Sequence, residues 1–293
     1  MIDRVLSVGA LPRPGQTVEA RSLRTFPGGK GANQAAAAAR CGAAVRACGR
    51  TGADGRFIAE AMRDAGVDVA AVRCDDPVSG AAVVLVAEGG ENAIVIAPES
   101  NRRVTGAEID RFLAAAAPGD LLLVQNECSG LVHALCAARS RGLRAWFNAA
   151  PADVQLRGMD LTGLDGLFVN ETEAEALTGL SDPAAALDAL AVRLPNATVV
   201  VTLGAAGARM RTGGALSTHA GYRVRAVDTV GCGDAFVGAF LAALAAGLPP
   251  EASLAWGNAA GALAATREGA MPSLPPRAAV AALAALPAGS SPA

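Results

Sequence analysis

Histidine is scarce in this 293-residue chain: only His133 and His219 occur. A histidine-rich zinc site or a Ser/His/Asp triad would have to use one of them, and neither stands in a matching motif. Both read as ordinary helix-face or strand residues, so a general base is sought among the carboxylates. The six cysteines (Cys41, Cys48, Cys74, Cys128, Cys136 and Cys232) are scattered, with no C-x-x-C pair. Together with the lack of a charged-then-apolar leader, that predicts a reducing cytoplasm and no structural disulfides. Apolar runs are alanine-rich and interrupted by Arg, Gly or Asp, so none predicts a membrane-spanning helix. Charge of one sign is also missing. The 25 basic and 27 acidic side chains leave a formal charge of -2, which favours neither nucleic acid nor an anionic membrane as partner. Aromatic residues make up 3% of the chain, few for stacking a nucleobase.

What is present is apolar mass: 52% of the residues are hydrophobic, enough for a large α/β core without covalent staples. From about residue 105 onward, short β-branched runs alternate with helical patterns. "DLLLVQ" (120–125), "LRAWFN" (143–148), "GLFVN" (166–170) and "ATVVVTLG" (197–204) read as strands buried on both faces. The segments 129–142, 171–179 and 182–194 read as helices, with cap-type or acidic residues at their starts. Strand and helix in alternation predict a mainly parallel sheet covered on both faces, with ligands at the carboxyl ends of the strands. Two hairpin-like pieces, at about 4–27 and 79–97, depart from this pattern. The second is built on "EGGEN". They predict a small accessory sheet, either a lid over the strand ends or a plain edge extension. One domain is expected over 1–286, with a disordered tail over 287–293.

Three stretches carry chemistry. In "AVDTVGCGDAF" an apolar run ends at Val227 and a helix pattern begins near Gly231, so the glycines lie at a helix N-terminus. Free N–H groups there, backed by the helix dipole, form an anion site that a phosphoryl group suits. Asp234 falls in the first turn, where it can act as a base toward a hydroxyl or merely cap the helix. Phe236 stands where a dinucleotide fingerprint needs its third glycine. In "FPGGKGANQAAAAARCG", Gly28, Gly29 and Gly31 surround Lys30 ahead of an alanine-rich helix. The stretch is not a Walker A loop; Lys30 and Asn33 offer donors to a hydroxylated ligand, or the segment is a tight turn into a buried helix. "NETEAEALTG" crowds Asn170, Glu171 and Glu173 at a helix start, which suits capping or a magnesium ion held through water.

Taken together, "GGKGANQA", "NETEAE" and "DTVGCGDAF", in that order, resemble the ribokinase family of sugar kinases, over nearly the whole chain from Asp3 to about Pro275. "GGENAIVIAPESN", "NAAPA", "VTLGAAG" and "TREGAMPS" look like further landmarks. The resemblance implies a three-layer α/β/α sandwich with a mainly parallel central sheet and a small β-sheet lid. It implies that Asp234 takes the proton of a sugar's primary hydroxyl while Gly231, Cys232 and Gly233 offer amides to the γ-phosphoryl group of ATP. Asp3, Gly29, Lys30, Asn33 and Glu127 match sugar-gripping positions. Asn170, Thr202, Gly204, Gly207, Gly233 and Asn258 match ATP positions, and Glu173 a magnesium region reached through water. Asp228, Val230 and Ser273 match a monovalent-cation site, usually potassium. A dimer through the lid strands is expected, since pairing covers exposed edges. Family members open with a buried Gly-Ser-x-Asn-x-Asp strand, of which Met1, Ile2 and Asp3 match only the end. Met1 stands where a sugar-contacting asparagine is expected, and translation is expected to begin upstream. The substrate expectation is the primary 5-hydroxyl of D-ribose. The rivals are a nucleoside or other sugar as acceptor, a catalytically silent sugar-binding regulator and, weakest, a dehydrogenase.

Overall fold

A computed structural model describes residues 1–291 apart from Gly90 and Asp153. Its first strands are β1 (Ile2–Val8) and β2 (Ser22–Pro27), followed by α1 (Lys30–Arg40), β3 (Val45–Gly52), α2 (Arg56–Asp64) and β4 (Val67–Asp76). Then come β5 (Ala81–Ala87), β6 (Asn92–Ala97), α3 (Gly106–Leu113), β7 (Leu121–Gln125), α4 (Leu131–Ser140) and β8 (Arg144–Asn148). The later half runs β9 (Gly166–Asn170), α5 (Glu171–Thr178), α6 (Pro183–Arg193), β10 (Thr198–Thr202), β11 (Ala208–Thr212) and β12 (Ala215–His219). Four helices close the chain: α7 (Cys232–Ala245), α8 (Pro250–Ala264), α9 (Ala270–Ser273) and α10 (Arg277–Ala284).

The body is a three-layer sandwich because its central strands are apolar on both faces. Residues alternate across a strand, and here each alternate set meets a different helical layer. Ala145, Phe147, Leu167, Val169, Val199 and Val201 face one way, into a core shared with α3, α4, α5 and α6. Trp146, Phe168 and Val200 face the other way, onto Phe236, Val237, Phe240 and Leu241 of α7 and Leu254 of α8. A third core joins α1, α2, α7, α8 and α10. Burying a large apolar side chain contributes roughly 1.5–3 kcal/mol, and these rows recur on every central strand, so the layered packing outweighs local propensity.

Six strands form the larger ladder in the order β12-β11-β10-β9-β8-β7. β7 to β10 run parallel, while β11 and β12 add an antiparallel hairpin at one edge. β3 and β4 make a separate parallel pair. Helix α1 packs against both β3 and β7, and among the described residues each of these two strands has one edge without a ladder partner. All of β7 is only half-buried, whereas β10 is buried up to its last residue.

The accessory sheet has four strands in the order β2-β1-β5-β6. The two expected hairpins flank it, and a parallel β1–β5 pairing joins them at the centre. Its roots lie in one register row, Pro27–Ile2–Ala81–Ala97. The middle of the "EGGEN" turn, Gly90, lies outside the described residues.

The expected disordered tail is corrected for residues 287–290. The amide of Gly289 donates to the Gly221 carbonyl at 2.7 Å, and that of Arg223 donates to the Ser290 carbonyl at 2.9 Å. Backbone pairing fixes a stretch whose composition alone reads as loose. Pro292 and Ala293 lie outside the described residues. Among the described residues no helix is long and apolar enough to cross a membrane.

Candidate active site

The site lies where the first turns of α1 and α7 meet the carboxyl end of β7 and the root of the accessory sheet. Asp234, in the first turn of α7, is 8% exposed. Its Oδ2 accepts from Asn33 Nδ2 at 2.9 Å and its Oδ1 accepts from Gln34 Nε2 at 2.8 Å, both from α1. A buried carboxylate has to be hydrogen-bonded to remain charged, and these two amides do so from successive residues of one helix. Asn33 Oδ1 is buried and, among the described residues, has no partner, so one acceptor in the site awaits a donor.

The N-terminus of α7 has the form the glycines predict. Gly231 is the N-cap in a left-handed conformation, φ 80°. Of the three amides assigned to phosphate, that of Cys232 donates to the Thr229 carbonyl at 3.3 Å. The amides of Gly231 and Gly233 carry no such bond among the described residues, as expected of a first helical turn. Burial pushes the Cys232 thiol up to about 11, with Asp228 and Asp234 adding to the effect, so its side chain stays neutral.

Lys30 stands among four carboxylates. Burial alone would lower its ammonium, but Asp234, Glu127, Glu173 and Asp3 together hold it above the ordinary lysine value. Glu127 accepts from the Lys30 backbone N–H at 2.8 Å, so it caps α1 as well as facing the cluster. Burial raises Glu127 and Glu173 above the usual carboxylate range, partly offset by Lys30 in each case. Burial also pushes Asp3 up to about 6, against the pull of the amino terminus and Lys30 and with that of Asp234. Gly28 makes room for Asp3: a Cβ on Gly28 would fall inside the Asp3 carboxylate. Gly29 lies as close to the chain start, its missing Cβ 2.7 Å from the Met1 nitrogen.

The remaining expected residues sit in a helix cap, at a strand end, in turns, in loops and on helices α8 and α9. Asn170 and Glu173 form a reciprocal capping box on α5, each side chain bonded to the other's backbone N–H at 2.8 Å. Thr202 is paired with Asn170 across the ends of β10 and β9, and Gly204 and Gly207 form the turn that follows. Asp228 joins two loops, accepting from Val230 N–H at 3.0 Å and from Gly269 N–H at 2.8 Å. Ser273, buried on α9, donates to the Ala270 carbonyl at 2.8 Å. Asn258 is buried on α8, with its amide donating to the Leu254 carbonyl one turn earlier. Among the described residues no three His, Cys, Asp or Glu side chains converge as metal ligands. Three residues absent from the sequence expectation enter the site: Gln34, Gln125 and Asn148. Gln34 lies inside the "GGKGANQA" motif and Asn148 opens "NAAPA", while Gln125 ends a buried strand run, but none stands out there as a site residue.

This geometry matches known proteins. The model of the pfkB family of carbohydrate kinases matches residues 1–277. The chain belongs to that family. Ribokinase of Haemophilus influenzae is 35% identical over 284 residues, which cover 94% of this chain and 92% of that protein. The crystal structure of ribokinase from Cryptococcus neoformans in complex with ADP superposes with a TM-score of 0.83 at 31% identity, covering 96% of each chain. Ribokinase of Arabidopsis thaliana complexed with ribose and ATP gives a TM-score of 0.81 at 28% identity, covering 97% of this chain and 96% of that one. The three-layer fold with its accessory sheet is therefore the ribokinase-like fold, and the chain is a carbohydrate kinase.

Proposed function

We propose that this chain transfers the γ-phosphoryl group of ATP to the primary 5-hydroxyl of D-ribose, giving ribose 5-phosphate. One observation carries the reading: the buried Asp234 carboxylate, fixed by two side-chain amides, adjoins the Gly233 amide at the start of α7. The Arabidopsis relative that binds ribose and ATP shares the fold over nearly its whole length.

In this reading Asp3, Lys30, Asn33 and Glu127 hold the ribose hydroxyls, with Gly28 and Gly29 letting the backbone approach. Carboxylates accept from paired hydroxyls, and Asn33 Oδ1 supplies the acceptor that lacks a donor. Asp234 accepts the proton of the 5-hydroxyl as its oxygen attacks. Phosphoryl transfer runs through a loose transition state, so in-line positioning and charge stabilisation do more than base strength. The amides of Gly231 and Gly233 stabilise charge on the transferring group, with Cys232 joining once its bond to Thr229 opens. Asn170, Thr202, Gly204, Gly207 and Asn258 line the nucleotide side.

The donor set fits a magnesium ion held mainly through water, with Glu173 and Asp234 within electrostatic reach of each other. Such an ion neutralises the phosphate charge when bound. The Asp228 bridge between Val230 and Gly269, together with Ser273 on the helix that follows Gly269, fits a monovalent cation such as potassium, which would stiffen the loop ahead of Gly231. The accessory sheet serves as a lid that excludes water. It also supplies a homodimer surface, because the edge strand β6 exposes Ile94, Val95 and Ile96. A cytoplasmic enzyme fits the scattered free cysteines.

The test measures ADP formation with ribose, other pentoses, fructose and several nucleosides, with and without potassium. Turnover on ribose above the others, raised by potassium, is expected. Turnover on a nucleoside but not ribose overturns the substrate assignment, and none on any acceptor by folded protein favours a sugar-binding regulator. Light scattering tests the dimer: the unaltered chain should run as a dimer and Val95→Lys as a monomer.

A further inference from the structure

Behind Asp234 the amide of Gln34 continues into a chain of neutral amides that reaches the central sheet. Gln34 is 1% exposed. Its Nε2 donates at 2.8 Å to Asp234 Oδ1 and at 2.8 Å to Asn148 Oδ1. Its Oε1 accepts from Gln125 Nε2 at 2.7 Å. Asn148 Nδ2 in turn donates to the Phe168 carbonyl at 3.3 Å.

The direction of every bond in this chain is forced. An ionised carboxylate only accepts, so the group facing Asp234 has to be the NH2 of Gln34. Asn148 has to turn its oxygen to the second N–H of that NH2, because its own NH2 meets a backbone carbonyl. Gln34 then presents its oxygen to Gln125. Both amide protons and the oxygen of Gln34 are thus engaged, and the side chain cannot rotate without leaving buried polar atoms unpaired. The anchors are rigid, since Gln125 and Asn148 are paired in register at the carboxyl ends of neighbouring strands β7 and β8.

We infer that Gln34 is the positioning residue for Asp234: it transmits the fixed geometry of the central sheet, through Gln125 and Asn148, to the carboxylate that receives the sugar's proton. Asn33 holds the other oxygen from the same helix, but it adjoins the sugar side and has a free acceptor. Apart from Asp234, the side chain of Gln34 is bonded only to the strand-end residues Gln125 and Asn148. A reacting carboxylate needs its plane and distance fixed, and about 1 Å of misplacement can cost about a hundredfold in rate. The inference rests on Asp234 as base.

The test is a double-mutant cycle with Gln34→Met and Gln125→Met, read as kcat and KM on the acceptor that the unaltered chain uses best. Gln34→Met is expected to lower kcat about 10–100-fold while both KM values change less than about threefold, because the lost interaction matters only when the proton moves. Gln125→Met should lower kcat about fivefold, and the double variant should be no slower than Gln34→Met, since Gln125 acts only through Gln34. Full kcat in both single variants overturns the inference, as does a rise in sugar KM at unchanged kcat. Losses that multiply in the double variant also overturn it, because independent structural damage would add in that way. If Gln34→Met does not fold, Gln125→Met on the half-buried β7 decides: its kcat falls at unchanged KM, or the inference fails. Failure of the underlying reading looks different. It shows as no turnover by the unaltered chain, or as Asp234→Asn retaining full activity.

Discussion

Gly238 of α7 lies against α1 so closely that a Cβ on it would stand 2.6 Å from the Gln34 carbonyl oxygen and collide with the Ala37 side chain. Gly238 is one helical turn beyond Asp234, and Gln34 is the residue whose amide holds that carboxylate. The close approach of the two helices is therefore what brings the Asp234 carboxylate and its amides together.

Gly238→Ala separates helix propensity from packing. In an isolated helix the change stabilises by about 1 kcal/mol; here the added methyl meets backbone that has to move, a strain of about 1–3 kcal/mol. The expected outcome is a folded protein whose kcat falls by about a hundredfold at most, through displacement of Asn33 and Gln34 from Asp234. Steady-state kinetics beside a thermal melt check it, and full kcat would show that the helix spacing does not set the site.

Gly28→Ala acts on the sugar side. The new methyl takes the space of the Asp3 carboxylate, which has to swing away from the hydroxyls it would grip. Losing a hydrogen bond to a charged group corresponds to roughly 10–100-fold in affinity. Sugar KM should rise by that factor while ATP KM holds, as titrations of each substrate would reveal.

Asp3 gives the stability a pH dependence. Burial, reinforced by the charge of Asp234, pushes its carboxyl up to about 6, above the ordinary value of 3.8. The folded protein thus keeps a proton that the unfolded chain has released. The resulting stabilisation is whole below the unfolded pKa and is lost as pH rises through about 6. Asparagine at this position has no such dependence. Between pH 5 and pH 7.5, urea unfolding should show Asp3→Asn gaining about 1 kcal/mol on the unaltered chain. A gap between the two that stays constant over this range contradicts the assignment.

Much of this site was legible because its chemistry sits in short motifs next to buried strands. Apolar runs at 120–125, 143–148 and 166–170 coincide within a residue or two with β7, β8 and β9, because strands buried on both faces need apolar residues on both. The pair β3 and β4 carries no such signal. Arg50, Asp75 and Asp76 interrupt it, and in the fold Arg50 bonds Asp76 at 2.6 Å and Glu108 at 2.7 Å. Gln34 and Asn148 lie inside recognised motifs and Gln125 at a strand end, yet their connection to one another was not legible. Neutral amides announce no chemistry, and only the register of β7 with β8 brings two of them beneath the third. The tail over 287–290 reads as loose by composition, yet its backbone is paired with Gly221 and Arg223.

The most direct test of the account identifies the product. The unaltered chain and Asp234→Asn are incubated with ribose and ATP, and phosphorus NMR follows the phosphate. A phosphomonoester on the sugar's C5 is expected for the unaltered chain, formed about 10²–10⁴-fold more slowly by the asparagine variant with its fold retained. Phosphate at another position, or equal rates from both proteins, would contradict Asp234 as the group that receives the proton.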